Sequence, residues 1–276
     1  MLFNRFVLGT AQAKPGYGVT SETIQQATEF FLILEEARRL GINWIDTAQN
    51  YGIAESWIGD YRKDPFQVAS KISIRGSDAA TLRASIEKSS SQIGDNQLRA
   101  VFAHDWELSR PVEKANFLKL QRDYEHLRFG VSIYETSTLL DIFRDECVLS
   151  MVQIPLSVLN QSFLPLLSEC KDHGIEVWAR SIFLQGAIDY SSSKNPFRNH
   201  PDLLKLRKFC EENSCTPFLV AISFVLSSAV DKIVLGFENS SQLTEISKYF
   251  DCPKQFIDFS KLASTNLDFI DPRRWK

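Results

Sequence analysis

The chain alternates short apolar segments with amphipathic stretches eight times in succession. Each apolar segment has the length of a β-strand, and most lack the polar alternation of a half-exposed strand. The segments cover residues 5–10, 42–46, 66–71, 98–104, 127–132, 147–153, 175–181 and 231–236. Eight strand–helix repeats predict an α/β fold, a closed (β/α)8 TIM barrel, in which residues 1–276 form a single domain.

Three of the intervening stretches have helical spacing and end at a glycine, a residue that often ends helices. They are residues 23–41, 78–94 and 164–174. A fourth, residues 218–230, predicts a buried helix that begins after Thr216-Pro217. The alternative fold for this alternation of strands and helices is an open doubly wound sheet, which usually has a glycine-rich first turn. Neither GxGxxG nor GxxxxGK[ST] occurs in the chain, so the closed barrel is favoured.

Composition indicates a soluble globular protein, with 44% hydrophobic and 24% charged residues. The formal net charge of −3 gives no electrostatic case for binding nucleic acid or an anionic membrane. Asn4 and Arg5 interrupt the apolar N-terminus, so we expect no signal peptide, and residues 218–230 are too short to span a bilayer. We therefore expect a cytoplasmic protein.

The five cysteines are odd in number, widely spaced and without a CxxC motif. They are Cys147, Cys170, Cys210, Cys215 and Cys252. This pattern favours reduced thiols over a disulfide framework. No cysteine or histidine pair has metal-ligand spacing, so no metal site is predicted.

Polar residues end three consecutive predicted strands: Asp46, Lys71 and His104. Tyr51 follows the first of them in a loop. Taken singly, the carboxylate could cap a turn, the lysine could be solvated, and the histidine could be an interior residue. Barrel enzymes, however, build their sites at the C-terminal ends of the strands. The occurrence of Asp46, Lys71 and His104 at the ends of three successive strands therefore favours a shared catalytic site.

Such a set can protonate a carbonyl oxygen while another group attacks its carbon. A lysine ammonium ~4 Å from a tyrosine favours the phenolate by roughly 4 kcal/mol at an effective dielectric of about 20. This energy corresponds to a decrease of about three pKa units at most. We therefore expect Lys71 to lower the pKa of Tyr51 toward the range useful for general acid catalysis. Asp46 would keep Lys71 charged, and His104 would position the carbonyl oxygen.

Residues 41–59, GINWIDTAQNYGIAESWIG, resemble the signature of the aldo-keto reductase superfamily. Lys71 after QVAS and His104 in VFAHDW stand where that family has its lysine and histidine. The resemblance extends from residue 7 almost to the C-terminus. It implies that Tyr51 is the general acid, that Asp46 and Lys71 tune it, and that His104 orients a substrate carbonyl. It also implies hydride transfer from a nicotinamide cofactor across the barrel mouth.

Later segments resemble a branch of the family that is common among bacterial sugar and polysaccharide genes. The resemblance implies a cofactor-binding set of Thr10, Asp46, Ser132, Gln153, Arg180, Ser181, Phe183, Gln185, Gly236, Glu238, Asn239 and Gln242. Of these, Ser132 and Gln153 would hold the nicotinamide carboxamide. Tyr17 and Trp106 follow strand ends and either form a substrate wall or pack loops. Residues 181–201 form either a cover over the cofactor or a surface loop.

The resemblance implies NADP(H) as cofactor, whereas residues 236–246 favour NAD(H). They contain Glu238 and no lysine or arginine that would bind a 2′-phosphate. A carboxylate near the ribose favours the cofactor without that phosphate. Two further positions, Ile133 and Ile246, stand where many family members have asparagine. Both cofactors remain open at this point.

Three functions compete. The first is an oxidoreductase acting on a small aldehyde, ketone or sugar. The second is a nucleotide-binding barrel with a regulatory role and little catalysis. The third is a barrel hydrolase that uses carboxylates such as Asp105 and Glu135, as glycosidases do. The hydrolase leaves the four-residue set unexplained, so the oxidoreductase is favoured. Neither the physiological substrate nor the oligomeric state follows from the sequence.

Overall fold

A computed structural model describes residues 2–19, 24, 26–61, 63–94, 96–145, 148–250 and 258–275. Eight parallel strands close into a barrel in sequence order, and the last strand pairs with the first. The predicted (β/α)8 barrel is therefore confirmed. None of the helices in these residues is long and apolar enough to cross a membrane.

The strands are β1 Phe6–Gly9, β2 Trp44–Asp46, β3 Gln67–Ile72, β4 Leu98–Ala103, β5 Arg128–Ser132, β6 Met151–Pro155, β7 Glu176–Arg180 and β8 Lys232–Gly236. The helices are α1 Ala27–Arg39, α2 Ala54–Asp60, α3 Ala79–Ile93, α4 Pro111–Lys119, α5 Thr136–Arg144, α6 Leu167–Asp172, α7 Pro201–Glu212, α8 Pro217–Ser227, α9 Ser240–Ser247 and α10 Leu267–Ile270. Short 3-10 turns connect several of them.

One strand begins later than the sequence suggests. The apolar run 147–153 predicted β6, but the strand begins at Met151 and continues to Pro155. Val148 is 79% exposed, and Cys147 lies outside the described residues, as does Cys252. Ser150, directly before the strand, donates its hydroxyl hydrogen to the Phe129 carbonyl of β5, 3.0 Å away. The apolar character of the residues before Ser150 therefore does not predict where the strand begins.

The predicted helix ends have the expected local chemistry. The Asp78 carboxylate accepts a hydrogen bond of 2.8 Å from the Thr81 amide and begins α3. The Thr216 hydroxyl does the same for α8, accepting from the Leu219 amide at 3.1 Å. Gly41 follows α1 with a φ of +79°, a conformation that favours glycine. The first residues predicted for that helix, Thr23 and Gln25, lie outside the described part of the chain.

Apolar side chains fill the lower part of the barrel interior. They come from alternate strand residues, which point inward: Val7, Ala69, Ala100, Phe102, Met151, Trp178 and Val234. Gly130 leaves space for one of them, since an added Cβ would lie 2.7 Å from the Phe102 ring. The same alternation directs the side chains of Asp46, Lys71 and Gln153 into the barrel, one layer closer to the C-terminal ends of the strands. The barrel therefore has a filled base and a polar upper rim.

Candidate active site

A buried ion pair forms the floor of the polar rim. Lys71 Nζ lies 2.6 Å from Asp46 Oδ2, and the lysine residue is only 1% exposed. Its ammonium also donates to the Thr47 carbonyl at 3.1 Å. Gln153 Nε2 donates to the other carboxylate oxygen of Asp46 at 2.7 Å. The pair thus has the additional hydrogen bonds that a buried charge requires.

Tyr51 and His104 lie directly above this ion pair. Lys71 Nζ is 5.0 Å from the centroid of the Tyr51 ring. The Tyr51 and His104 rings meet edge to face, with centroids 6.0 Å apart and planes at 84°. The four side chains predicted to act together therefore converge at one barrel mouth.

The turn after β2 explains the Tyr-Gly pair in the sequence. The Tyr51 amide donates to the Ala48 carbonyl at 3.0 Å, which closes the turn. Gly52 then has a φ of +64°, and a Cβ there would lie 2.9 Å from the Ala13 carbonyl oxygen. Glycine satisfies both constraints at this position. The turn holds Tyr51 over the barrel axis without regular secondary structure.

Thr10 supports the end of β2 rather than the cavity wall. Its hydroxyl donates to Thr47 Oγ1 at 2.9 Å and contacts the Asp46 carbonyl at 3.1 Å. Thr10 is buried, and it is not among the cavity-lining residues described below. Thr10 therefore positions the start of the loop that carries Tyr51, and its contact with a cofactor stays a prediction.

The pKa of Tyr51 is raised, contrary to the expectation from the sequence. Burial of the phenol is the largest cause, and the nearby Asp46 carboxylate adds to it, while Arg180 opposes it. The ammonium of Lys71 is bonded to Asp46, so its charge is largely compensated. Tyr51 is therefore a protonated phenol at neutral pH, a state suited to donating a proton.

His104 is neutral at physiological pH. Burial, the largest cause, and the positive charges of Lys71 and Arg180 together lower the pKa of His104 to about 3. A neutral imidazole has one N–H donor and one acceptor nitrogen. His104 can therefore orient a carbonyl oxygen by hydrogen bonding without giving up a proton to it.

A cavity of about 450 Å³ extends from Tyr51 and His104 to helix α9. Most of the predicted site residues line it, namely Tyr17, Asp46, Tyr51, Lys71, His104, Ser132, Gln153, Arg180, Ser181, Phe183, Gln185, Gly236, Glu238 and Gln242. Besides Thr10, the predicted residues Trp106 and Asn239 are not among the lining residues. An elongated cavity that continues past the ion pair can hold more than a small substrate.

Trp106 packs against a helix instead of forming a substrate wall. It is 4% exposed, and its ring lies 6.4 Å from that of Phe117 in α4. The 3-10 turn Trp106–Leu108 follows β4 directly, and the indole packs into the apolar layer outside the barrel. Of the two alternatives for Trp106, a substrate wall or loop packing, its contacts favour packing.

Asn239 and Asp105 have structural partners outside the cavity. The Asn239 side chain caps α9 by accepting from the Gln242 amide at 2.9 Å. The Asp105 carboxylate accepts from the Ile74 amide at 2.8 Å and so holds the loop after β3. Neither Asp105 nor Glu135 is among the lining residues, so the geometry does not support the hydrolase alternative.

Several lining residues carried no signal in the sequence. They are Gln12, Tyr134, Asp189, Ser192, Phe218, Glu245 and Tyr249. Gln12 belongs to a 3-10 turn after β1, and a Cβ at Gly236 would lie 2.2 Å from its Oε1. Gly236, which ends β8, was the available signal in the sequence, since it makes room for a side chain from the turn after the neighbouring strand β1.

The segment after β7 borders the cavity and crosses to the segment after β1. Ser181, Leu184 and Gln185 have positive φ angles of 59°, 46° and 50°. The Gln185 carbonyl accepts a hydrogen bond of 3.1 Å from the Val19 amide. Further along, the buried Asn195 side chain donates to the Ala187 carbonyl at 2.8 Å and fixes the segment. The chain after β7 therefore has defined contacts at the cavity rim.

Comparisons with known proteins agree with this architecture. A family model described as the Aldo/keto reductase family matches residues 5–266. The chain belongs to the aldo/keto reductase family. An aldo-keto reductase of this kind is an NAD(P)-dependent oxidoreductase, and the resemblance inferred from the sequence is confirmed. A search of curated proteins found no match.

Three solved structures illustrate the likeness of this aldo-keto reductase to others. Aldo-keto reductase AKR11C1 from Bacillus halodurans, holo form, has a TM-score of 0.75 and 16% identity, covering 98% of this chain and 95% of its own. Glycerol dehydrogenase AKR11B4 from Gluconobacter oxydans has a TM-score of 0.71 and 20% identity, covering 97% and 92%. A putative aldo-keto reductase from Pseudomonas aeruginosa has a TM-score of 0.66 and 19% identity, covering 89% and 88%. At these identities the likeness concerns the fold alone.

One atom in the cavity fits the cofactor of this family. Gln153 Oε1 is buried and has no hydrogen-bond partner among the described residues, while the amide nitrogen of the same side chain is bonded to Asp46. A buried carbonyl oxygen without a donor is costly unless a ligand supplies one. The NH2 group of a carboxamide supplies such a donor. Ser132, on the neighbouring strand, also lines the cavity.

Proposed function

We propose that this protein transfers a hydride between a nicotinamide cofactor and the carbonyl carbon of a small aldehyde, ketone or sugar, with Tyr51 as the general acid/base. Within this proposal, residues 1–276 act as one barrel domain. The observation that carries the proposal is the buried Asp46–Lys71 pair, 2.6 Å apart, beneath Tyr51 and His104. The burial, the spatial arrangement and the chemistry of these four side chains agree with proton donation to a carbonyl oxygen.

The four side chains have different roles in this reaction. His104, held neutral by a pKa of about 3, hydrogen-bonds the carbonyl oxygen and orients it beside Tyr51. Tyr51 donates its phenolic proton to that oxygen. Lys71 and Asp46 keep a compensated charge pair below the phenol, so that a phenolate formed there faces an ammonium. The nicotinamide, when bound, supplies or accepts the hydride.

The cofactor would be held by the lining residues between Gln153 and α9. Gln153 Oε1 and Ser132 would bind the carboxamide, because the unpartnered oxygen accepts its NH2 group. Arg180, Ser181, Phe183 and Gln185 would border the nicotinamide and the pyrophosphate. Residues 236–242, with α9, would approach the adenosine.

We further propose that the site prefers NAD(H) over NADP(H). The first amide of α9, that of Ser240, donates to Glu29 Oε1 at 3.0 Å, so a carboxylate from α1 already occupies this helix end. Glu238 and Glu245 line the same end of the cavity, and no lysine or arginine of the described residues lines it there. A 2′-phosphate would meet these carboxylates, whereas ribose hydroxyls can donate hydrogen bonds to them.

A steady-state assay tests the proposal. The absorbance of NADH and NADPH is followed with a panel of aldehydes, ketones and sugars, in both directions, for wild type and Tyr51→Phe. We expect turnover by the wild type for at least one substrate class and its loss in the variant. Binding of the cofactor without any turnover would instead support the nucleotide-binding barrel with a regulatory role.

A further inference from the structure

Arg180 places a guanidinium group at the catalytic end of the cavity. It ends β7, and its Cζ lies 4.0 Å from the centroid of the Tyr134 ring. Arg273 Cζ lies at the same distance of 4.0 Å from that centroid. Both guanidinium groups thus contact the same ring. Arg180 is therefore backed by a Tyr134–Arg273 stack that limits its movement.

The two arginines differ in how their charges are balanced. Arg273 donates to Asp271 Oδ2 at 2.7 Å and to Glu107 Oε2 at 3.1 Å. Arg180 donates to the Ile133 carbonyl at 3.0 Å and contacts Ser181 Oγ at 3.4 Å, and both partners are neutral. No acidic side chain in the described residues forms an ion pair with Arg180. Its positive charge is therefore uncompensated where it lines the cavity.

The four catalytic side chains add no net charge at this end of the cavity. Asp46 and Lys71 neutralise each other across 2.6 Å. Burial is the largest cause of both the lowered pKa of His104, about 3, and the raised pKa of Tyr51, so both groups are neutral near pH 7. Arg180 contributes to the lowered pKa of His104 and of Lys71, which shows that its charge acts across the site. The catalytic end thus has a net charge of about +1 from these groups.

We propose that Arg180 makes this site bind the reduced, neutral nicotinamide more tightly than the oxidised, cationic one. The inference rests on the proposed function, which puts the carboxamide at Gln153. Arg180 pairs with Pro155, two residues beyond Gln153 on the adjacent strand, so the guanidinium borders the same space. Like charges repel more strongly in a partly buried site than in bulk water, and a neutral ring avoids that repulsion.

This difference in affinity affects the direction of the reaction. Oxidation of a secondary alcohol by NAD⁺ gives a carbonyl compound, NADH and a proton. The Tyr51 phenol first releases its proton to solvent, and the resulting phenolate then accepts the hydroxyl proton while the hydride passes to the cofactor. Tighter binding of NADH shifts the equilibrium on the protein toward the carbonyl product. Arg180 therefore favours alcohol oxidation relative to the same reaction in solution.

Dissociation constants of NAD⁺ and NADH, measured separately by calorimetric titration, test the inference. The proteins are wild type, Arg180→Gln, Arg180→Lys and the remote control Lys119→Gln, with the thermal unfolding of each recorded. In wild type we expect NAD⁺ to bind roughly tenfold or more weakly than NADH. The ratio should fall about tenfold in Arg180→Gln. It should persist in Arg180→Lys, which keeps the charge, and in Lys119→Gln.

Equal affinities for the two forms in wild type would overturn the inference while leaving the proposed function intact. An equal loss of affinity for both forms in Arg180→Gln would also overturn the inference. It would show that Arg180 contacts the cofactor without distinguishing its cationic form from its neutral form. If wild type bound neither form, nor the phosphorylated pair, the proposed function would fail together with the inference.

Discussion

The Lys71 ammonium lies 2.6 Å from the Asp46 carboxylate with both side chains almost completely buried. A buried pair of this kind gives little net stability compared with an apolar pair, but it makes each partner dependent on the other. Its position beneath Tyr51 means that a change in either charge alters both the fold and the proton donor.

Removing one member of this pair should destabilise the protein strongly. We expect Lys71→Met to lower the free energy of unfolding by about 3–5 kcal/mol, because the Asp46 carboxylate is left buried without its cation. Urea denaturation gives this quantity. Arg144→Ala, which removes an exposed ion pair with Asp141, should cost less than about 1 kcal/mol. A loss in Lys71→Met no greater than in Arg144→Ala would show that the buried pair is not coupled as described.

His104 should make the protein less stable as the pH falls below neutrality. Its pKa is lowered to about 3 in the folded state from an ordinary value of 6.5, so the unfolded chain binds a proton first. The free energy of unfolding therefore decreases as the pH falls from about 6.5 toward 3, and is unaffected by this group above about 6.5.

Comparing wild type with His104→Gln isolates this contribution, since other titrating groups are shared. Between pH 7 and pH 5 we expect the wild-type free energy of unfolding, from urea denaturation, to fall by more than that of the variant. Parallel curves for the two proteins would contradict a neutral buried His104.

The carboxylates at α9 should determine cofactor choice. We expect wild type to bind NADH at least about tenfold more tightly than NADPH, and Glu29→Gln/Glu238→Gln to reduce that preference about tenfold by removing repulsion of the 2′-phosphate. Fluorescence titration measures both constants, and Glu125→Gln, an exposed remote change, is the control. Tighter binding of NADPH by the wild type would show that cations outside these residues recognise the phosphate.

The strand ends could be predicted from the sequence because the barrel imposes a simple geometry. Every second strand residue points inward, and the C-terminal ends of parallel strands meet at one rim. Asp46, Lys71 and His104 therefore converge by topology alone. Tyr51 could be placed as well, since Gly52 marks the turn that carries it.

Loop residues and charge states could not be predicted in this way. Trp106 has the right spacing for a substrate wall, but a 3-10 turn directs it toward α4. Tyr134 follows an ordinary strand end, and its contact with two arginines depends on the distant residue Arg273. The pKa of Tyr51 rises because of burial, a quantity that depends on the whole cavity. Such features require contacts between residues far apart in the chain.

Replacement of the Tyr51 hydroxyl tests the central claim most directly. We expect Tyr51→Phe to lower kcat by about 10²–10⁴-fold for carbonyl reduction, because the proton donor is lost, while the dissociation constant of the reduced cofactor stays within about threefold. Tyr124→Phe, on the outer surface, should leave both quantities unchanged. A kcat for Tyr51→Phe within a few-fold of wild type would contradict the assignment of Tyr51 as the general acid.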